Sequence, residues 1–189
     1  MANHENLKII AFVGMTGSGK SVVVDYLTEK GHPKVYFGGV IYEAMAKAGI
    51  EKSEENEKEF RSKIRQEHGQ DFVVKEIIQQ IHSLKDAGQH RIVADGLYSW
   101  TEYKTMKHEF PGELTVVAVV APRHVRYHRL LTRDDRPQTE EESNSRDWSE
   151  IENIEKGGPI AMADYYLLND GDLNNIYQQI DSIVSEIEF

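Results

Sequence analysis

A short apolar run that breaks into glycines and resumes as an amphipathic helix constrains this chain more than any other feature. Leu7 to Val13 (LKIIAFV) is almost continuously apolar, the pattern of a strand covered on both faces. It stops at Gly14. From Lys20 the segment KSVVVDYLTEK carries apolar residues at helical spacing until Gly31. A strand covered on both faces needs helices above and below it, so these first elements already direct the chain to an α/β layer architecture.

The remaining pattern agrees. Pro33 to Phe37, Arg91 to Ala94 (ending at Asp95-Gly96), Leu114 to Val120 and Asp164 to Leu168 read as four further short strands. Gly38 to Gly88 is almost wholly helical in pattern, with a charged centre. Further helices are predicted over Trp100 to Phe110, over Arg123 to Thr132 behind Pro122, and from about Asp172 to Ile187. Asp134 to Ser145 is polar, acidic and contains proline, which predicts a mobile loop. Strands alternating with helices predict a three-layer α/β fold around a five-stranded, mainly parallel sheet. Two stretches exceed the bare alternation, a helical insert near 39–87 and a polar segment near 133–149. In binding folds such extras cover the crevice at the carboxyl ends of the strands.

Composition removes several function classes. The 189 residues suit one domain, and a hydrophobic share of 39% separates the chain from disordered sequences. No apolar stretch approaches the roughly 18 to 20 residues that span a bilayer, and Met1 to Asn6 is polar; neither a membrane partner nor a signal peptide is expected. The absence of cysteine excludes a disulfide framework, a thiolate zinc site and a cysteine nucleophile, and is compatible with a cytoplasmic location. With 32 acidic against 22 basic side chains, the net charge of −10 argues against nucleic acid as a partner.

The chemistry is announced by Gly14-Met15-Thr16-Gly17-Ser18-Gly19-Lys20-Ser21, which satisfies G-x-x-x-x-G-K-[ST] between a strand and a helix. The glycines let several N–H groups turn inward around phosphate oxygens, and the following helix aims its positive end at the same place. Lys20 is expected to reach the β- and γ-phosphates and the Ser21 hydroxyl to ligate Mg²⁺. Nucleotide binding follows, with Gly14, Thr16, Gly17, Ser18, Gly19, Lys20 and Ser21 as the cradle.

Six of the nine arginines lie between positions 123 and 146: Arg123, Arg126, Arg129, Arg133, Arg136 and Arg146. Arg126, Arg129 and Arg133 stand at i, i+3 and i+7 and share a helix face. A planar guanidinium can hold equatorial phosphoryl oxygens bidentately as charge develops there. The plainer alternative is a solvated face paired with Asp134, Asp135 and Glu140 to Glu142. His124 and His128 are i, i+4 but lack a carboxylate at matching spacing, so they read as surface histidines rather than metal ligands.

Taken together, the phosphate loop, Val93-Ala94-Asp95-Gly96, Arg129-x-x-x-Arg133 and the arginine-bearing segment resemble the nucleoside monophosphate kinase group of P-loop kinases, which includes adenylate kinase and dephospho-CoA kinase. More closely, the chain is similar to a branch of adenylate-kinase- and dephospho-CoA-kinase-like proteins. The shared features are Arg146-Asp147-x-x-Glu150, Gly157-Gly158-x-Ile160-Ala161-x-Ala163-Asp164 and Asn169-x-Gly171. The resemblance implies one P-loop kinase domain, with a core of 1–38, 88–132 and 150–189, an acceptor-binding insert at 39–87 and a lid at 133–149. It also implies ATP as donor, with Mg²⁺ managed by Ser21 and Asp95. Lys20, Arg133, Arg136 and Arg146 would act on the transferring group, while Arg129, Asn169 and Gly171 would lie beside the nucleotide. Lid closure would exclude water from the transfer.

Two departures from that group bear on the acceptor. Its members usually read Gly-Asp-x-x-Arg after the second strand and Asp-Gly-x-x-Arg or a similar run after the third. This chain has Gly39 in place of the acid, Tyr42 at the first arginine position and, in the closest alignment, Tyr98 at the second. Arg65, within Arg65-Gln66-Glu67-x-Gly69, is the matching cation that remains, so Tyr42, Arg65 and Tyr98 are the acceptor-binding candidates. A tyrosine donates one hydrogen bond and brings no charge. Nor does the chain carry the Asp-x-Asp of dephospho-CoA kinases; Val35-Tyr36-Phe37-Gly38-Gly39 stands there. The acceptor is expected to be small and nucleotide-like: a nucleoside monophosphate, a nucleoside or a dephospho-CoA type. A phosphate acceptor needs no base, whereas a hydroxyl acceptor would use Asp95 as one. The missing arginines tilt toward a hydroxyl, or a phosphate held differently. They also keep open a nucleotide-binding regulatory or accessory ATPase.

Overall fold

The structure, a computed structural model, describes residues 6–189, apart from the side chains of Glu54, Glu55, Lys58, Ser62 and Arg65. Strands β1 (Lys8–Val13), β2 (Lys34–Tyr36), β3 (Arg91–Asp95), β4 (Leu114–Val120) and β5 (Tyr165–Leu168) form one sheet in the order β2-β3-β1-β4-β5. Every pairing is parallel. The central position of β1 explains its apolar run: Ile9, Ile10, Ala11 and Phe12 are fully buried because both faces of the strand are covered.

Alternate residues of β1 feed two separate cores. Ile10 and Phe12 pack with helix α1 (Lys20–Glu29) and helix α9 (Leu173–Glu186) through Val23, Val24, Leu27, Ile176 and Ile180. Ile9, Ala11 and Val13 face the other layer, made by α2 (Phe37–Lys47), α4 (Phe72–Asp86) and α5 (Trp100–Glu109). There Val74, Ile77 and Ile81 recur at three- and four-residue spacing along α4 and are buried. The insert is helical as its sequence predicts, with the charged α3 (Glu54–His68) between α2 and α4. Helices α6 (Arg123–Thr132), α7 (Glu140–Glu152) and the short α8 (Gly157–Ala161) connect β4 to β5. Among the described residues no helix is long and apolar enough to cross a membrane.

The connections leaving β1 and β3 diverge. The chain passes from β1 to α1 on one face of the sheet and from β3 to α5 on the other. Adjacent parallel strands whose helices leave to opposite faces open a crevice at their carboxyl ends. Phe12 of β1 is level with Asp95 of β3, so the glycine-rich turn after Val13 and the carboxylate of Asp95 come out side by side.

One predicted element differs. The polar run expected to be a mobile loop from 134 to 145 is irregular only to Thr139, and α7 begins at Glu140. The reason is a reciprocal cap. Thr139 accepts from the Glu142 backbone N–H (3.2 Å), and the Glu142 carboxylate accepts from the Thr139 N–H (2.7 Å). Glu140, Glu141 and Glu142 also place negative charge in the first turn, where the helix dipole favours it. Composition marks such a segment as loop, but the same acids are helix-starting residues when a threonine precedes them. Replacing Thr139 by alanine should speed amide exchange in the first turn of α7 roughly fivefold, the scale of one lost cap, and leave exchange in β1 and β4 unchanged. A uniform acceleration across the sheet would contradict this.

Candidate active site

The turn after β1 depends on its glycines. A Cβ at Gly14 would meet Val119 O at 2.5 Å and Ser18 Oγ at 2.6 Å. Gly17 (φ 82°) and Gly19 (φ 85°) are left-handed, and a Cβ at Gly19 would fall on the Asn169 side-chain amide. Gly19 caps α1 at its N-terminus, so the free N–H groups of the first helical turn are presented at the loop. The Lys20 ammonium pairs with the Asp95 carboxylate at the end of β3. Arg129 donates from Nη2 to Asn169 Oδ1 (3.2 Å), while its buried Nη1 has no hydrogen-bond partner among the described residues. A buried guanidinium donor left open beside a glycine loop fits the oxygen of a phosphate.

The expected residues divide by position. The phosphate-loop residues, Tyr42, Tyr98, Arg129, Arg133, Arg136 and Arg146 line a common cleft. Asn169 is buried behind the loop, where its Nδ2 donates to Ser18 O (2.8 Å) and so joins the end of β5 to the glycine turn. Neither it nor Gly171 is among the cleft-lining residues. The Arg65 side chain lies outside the described residues. The cleft measures about 1870 Å³, beyond the ~300–1,000 Å³ of a pocket for one drug-sized ligand.

Sequence spacing grouped Arg126 with Arg129 and Arg133, but Arg126 is occupied elsewhere. Its guanidinium is buried and forks onto Asp147 of α7 (2.8 and 2.6 Å), and Nη1 also donates to Thr16 O (2.9 Å). Beside it, Glu150 accepts from the Thr16 hydroxyl (2.5 Å), the Thr16 N–H (3.2 Å) and the Lys156 ammonium (2.8 Å). All three polar groups of Thr16 are thus held from α6 and α7. Asp147, Glu150 and Lys156 were not among the expected site residues. The first two were legible as an i, i+3 pair of acids on one helix face, whereas Lys156 follows a turn and carries no local signal.

Burial opposes the charge on Glu150, but Lys156, Thr16 and Arg146 outweigh it and hold its pKa below the ordinary value. Lys156 is pushed down, chiefly by burial, despite its carboxylate partner. On the side of the insert, Tyr42 and Tyr36 lie with ring centroids 6.4 Å apart. Arg61, which the sequence did not single out, lines the cleft and pairs with Glu57 (3.3 Å). The Tyr98 ring lies over Gly96, whose φ of 91° and lack of Cβ admit it. Burial, then the neighbouring Tyr36, Asp95 and Glu102, raise the Tyr98 hydroxyl pKa, so it remains a neutral donor.

The same fold occurs in solved small-molecule kinases. A shikimate kinase from Bacteroides thetaiotaomicron superposes with a TM-score of 0.60 at 13% identity, covering 96% of this chain and 99% of that one. A sugar kinase from Janibacter sp. HTCC2649 gives 0.58 at 14%, with 95% of each chain covered. Residues 10–152 match the family model AAA_18, described as an AAA domain. Fold and loop together define a P-loop domain of kinase-like architecture. Among relatives by sequence, the UPF0200 protein TK1334 of Thermococcus kodakarensis is 37% identical over 182 residues, covering 95% of this chain and 97% of that protein. A UPF0200 protein of Sulfurisphaera tokodaii is 35% identical over 184 residues, covering 96% and 98%. The chain belongs to the UPF0200 family.

Because the folded pKa of Glu150 is depressed, the stability it contributes is fully present above its unfolded value near 4.5 and is lost as the pH falls through the lower folded value. Urea unfolding of the wild type and Glu150→Gln should therefore show a stability gap that is constant from pH 7 to about pH 5 and narrows below it. A gap independent of pH down to 3 would show that the carboxylate charge does not contribute.

Proposed function

We propose that this protein is a phosphotransferase that moves the γ-phosphoryl group of ATP to a small nucleotide-like acceptor. The observation that carries this reading is the shared cleft. A phosphate loop, whose Lys20 is paired with the buried Asp95 behind it, shares one large cleft with Tyr42 of the insert and with Arg129, Arg133, Arg136 and Arg146. In this reading 39–87 is the acceptor side and 133–149 the lid.

The loop N–H groups from Gly14 to Ser21 would hold the donor phosphates, and Lys20 would exchange the Asp95 carboxylate for phosphate oxygen. That exchange frees Asp95. Mg²⁺, which the Ser21 hydroxyl and, through water, Asp95 would hold, supplies neutralisation of phosphate charge when bound. The acceptor oxygen bonds to the γ-phosphorus as the bond from that phosphorus to the β–γ bridging oxygen breaks, and ADP leaves. With a hydroxyl acceptor the released proton passes to the Asp95 carboxylate; a monophosphate acceptor is already ionised. Arg129, through its open Nη1, and Arg133, Arg136 and Arg146 from the lid would meet the developing charge. Tyr42 and Tyr98 would orient the acceptor by hydrogen bonds rather than by charge.

A second reading, a regulatory or accessory ATPase without an acceptor, draws support from those same two tyrosines, which bring no cation where the group has arginine. Coupled ATP-consumption assays against nucleoside monophosphates, nucleosides and dephospho-CoA separate the two. A large rate increase with one acceptor is expected; slow ADP release indifferent to all of them would sink the transfer reading. Lys20→Ala should abolish turnover. Arg133→Ala should lower transfer roughly 10²-fold or more with ATP affinity nearly unchanged. Equal losses in both would contradict its place in the lid.

A further inference from the structure

Lys156 is only 2% exposed, yet it is a wall of the cleft. Its ammonium lies 5.0 Å from the centroid of the Tyr98 ring, the same ring that Lys20 approaches at 6.0 Å. Two cations thus gather around one aromatic ring, which lines the same cleft as the phosphate loop. Of the three N–H donors on Lys156, one is taken by Glu150, the single hydrogen-bond partner its side chain has among the described residues. The others are available to oxygen atoms in the cleft. The backbone is arranged for this: Lys156 N–H donates to Glu150 O (3.1 Å), and Glu155 before it adopts a left-handed φ of 57°.

A buried ion pair is a poor stabiliser, since two apolar side chains of similar shape serve as well. The position of this one is more informative. Its carboxylate also grips the Thr16 N–H and hydroxyl, so the ammonium is placed relative to the phosphate loop and not to the insert, where Tyr42 and Arg61 stand. It also stands beside Tyr98, a residue that lacks the charge an arginine would bring there.

We infer that Lys156 is a second phosphate-binding lysine, which with Lys20 contacts the terminal phosphoryl group of a nucleoside triphosphate in the loop. The inference rests on the reading of the cleft as a nucleotide site and adds the residue that senses the γ-phosphate. Glu150 is then a positioning residue that holds both the ammonium and the loop.

The test uses the double variant Lys156→Met/Glu150→Gln, which removes both buried charges while keeping an acceptor for the Thr16 N–H. Calorimetry would compare AMP-PNP, a non-hydrolysable triphosphate, with ADP, and thermal melting would report folding. The expected result is a Kd for AMP-PNP weaker by about tenfold or more, the scale of one charge-assisted hydrogen bond, with ADP within about twofold of the wild type. Equal weakening for both nucleotides would make Lys156 a support of the loop and overturn the proposal, as would no change in either. In the unaltered protein, the Lys156 Nζ resonance should shift on adding AMP-PNP and not ADP; equal shifts would overturn it independently of whether the variant folds. If the discrimination appears and no acceptor stimulates ADP release, phosphotransfer fails while the γ-phosphate site stands. If an acceptor stimulates release and discrimination is absent, only Lys156 is misassigned.

Discussion

The divergence of the connections after β1 and β3 is the constraint on which the rest of the molecule depends. Because α1 leaves to one face and α5 to the other, the ends of two adjacent strands are left uncovered where the glycine turn and Asp95 emerge. The parallel register of the two strands then sets Asp95 beside the loop, where Lys20 pairs with it. The insert and the segment from 133 to 149 can then be understood as walls added to this opening. The insert also supplies much of one core through α2 and α4, whereas neither core cluster includes a residue of 133–149.

Charge within the opening is organised by pairing rather than by excess. The net charge of −10 conceals a stretch, 123–133, with four arginines and no acid. The structure divides those arginines by task. Arg126 is consumed by Asp147, Arg129 donates to Asn169, which in turn bonds the loop at Ser18 O, and Arg133 donates to Arg136 O. Lys20 and Lys156 each carry a carboxylate of their own. Both cations are thus already withdrawn from bulk water before a ligand arrives.

What was legible in the sequence was what local rules decide. The strand at Lys8–Val13, the helix at Lys20–Glu29 and the glycine turn between them follow from apolar period, Gly freedom and one motif, and all lie where the sequence places them. The run from 134 to 145 misled because polarity and one proline outvoted a Thr139–Glu142 cap that the letters do contain. Arg126 misled for a different reason. Its spacing is shared with Arg129 and Arg133, but its fate is set by Asp147, twenty-one residues away. Lys156 was invisible altogether, since its meaning arises only when Glu150, Tyr98 and Thr16 meet in space.

Thr16 gives this arrangement a thermodynamic consequence. With its N–H, hydroxyl and carbonyl all bonded to α6 and α7, Thr16 ties the loop to those helices. The two are therefore coupled, and coupling free energy is reciprocal. Whatever holds α7 down raises the loop's readiness for its ligand by the same factor by which that ligand holds α7 down. The coupling needs no separate sensor, because one threonine belongs to both parts.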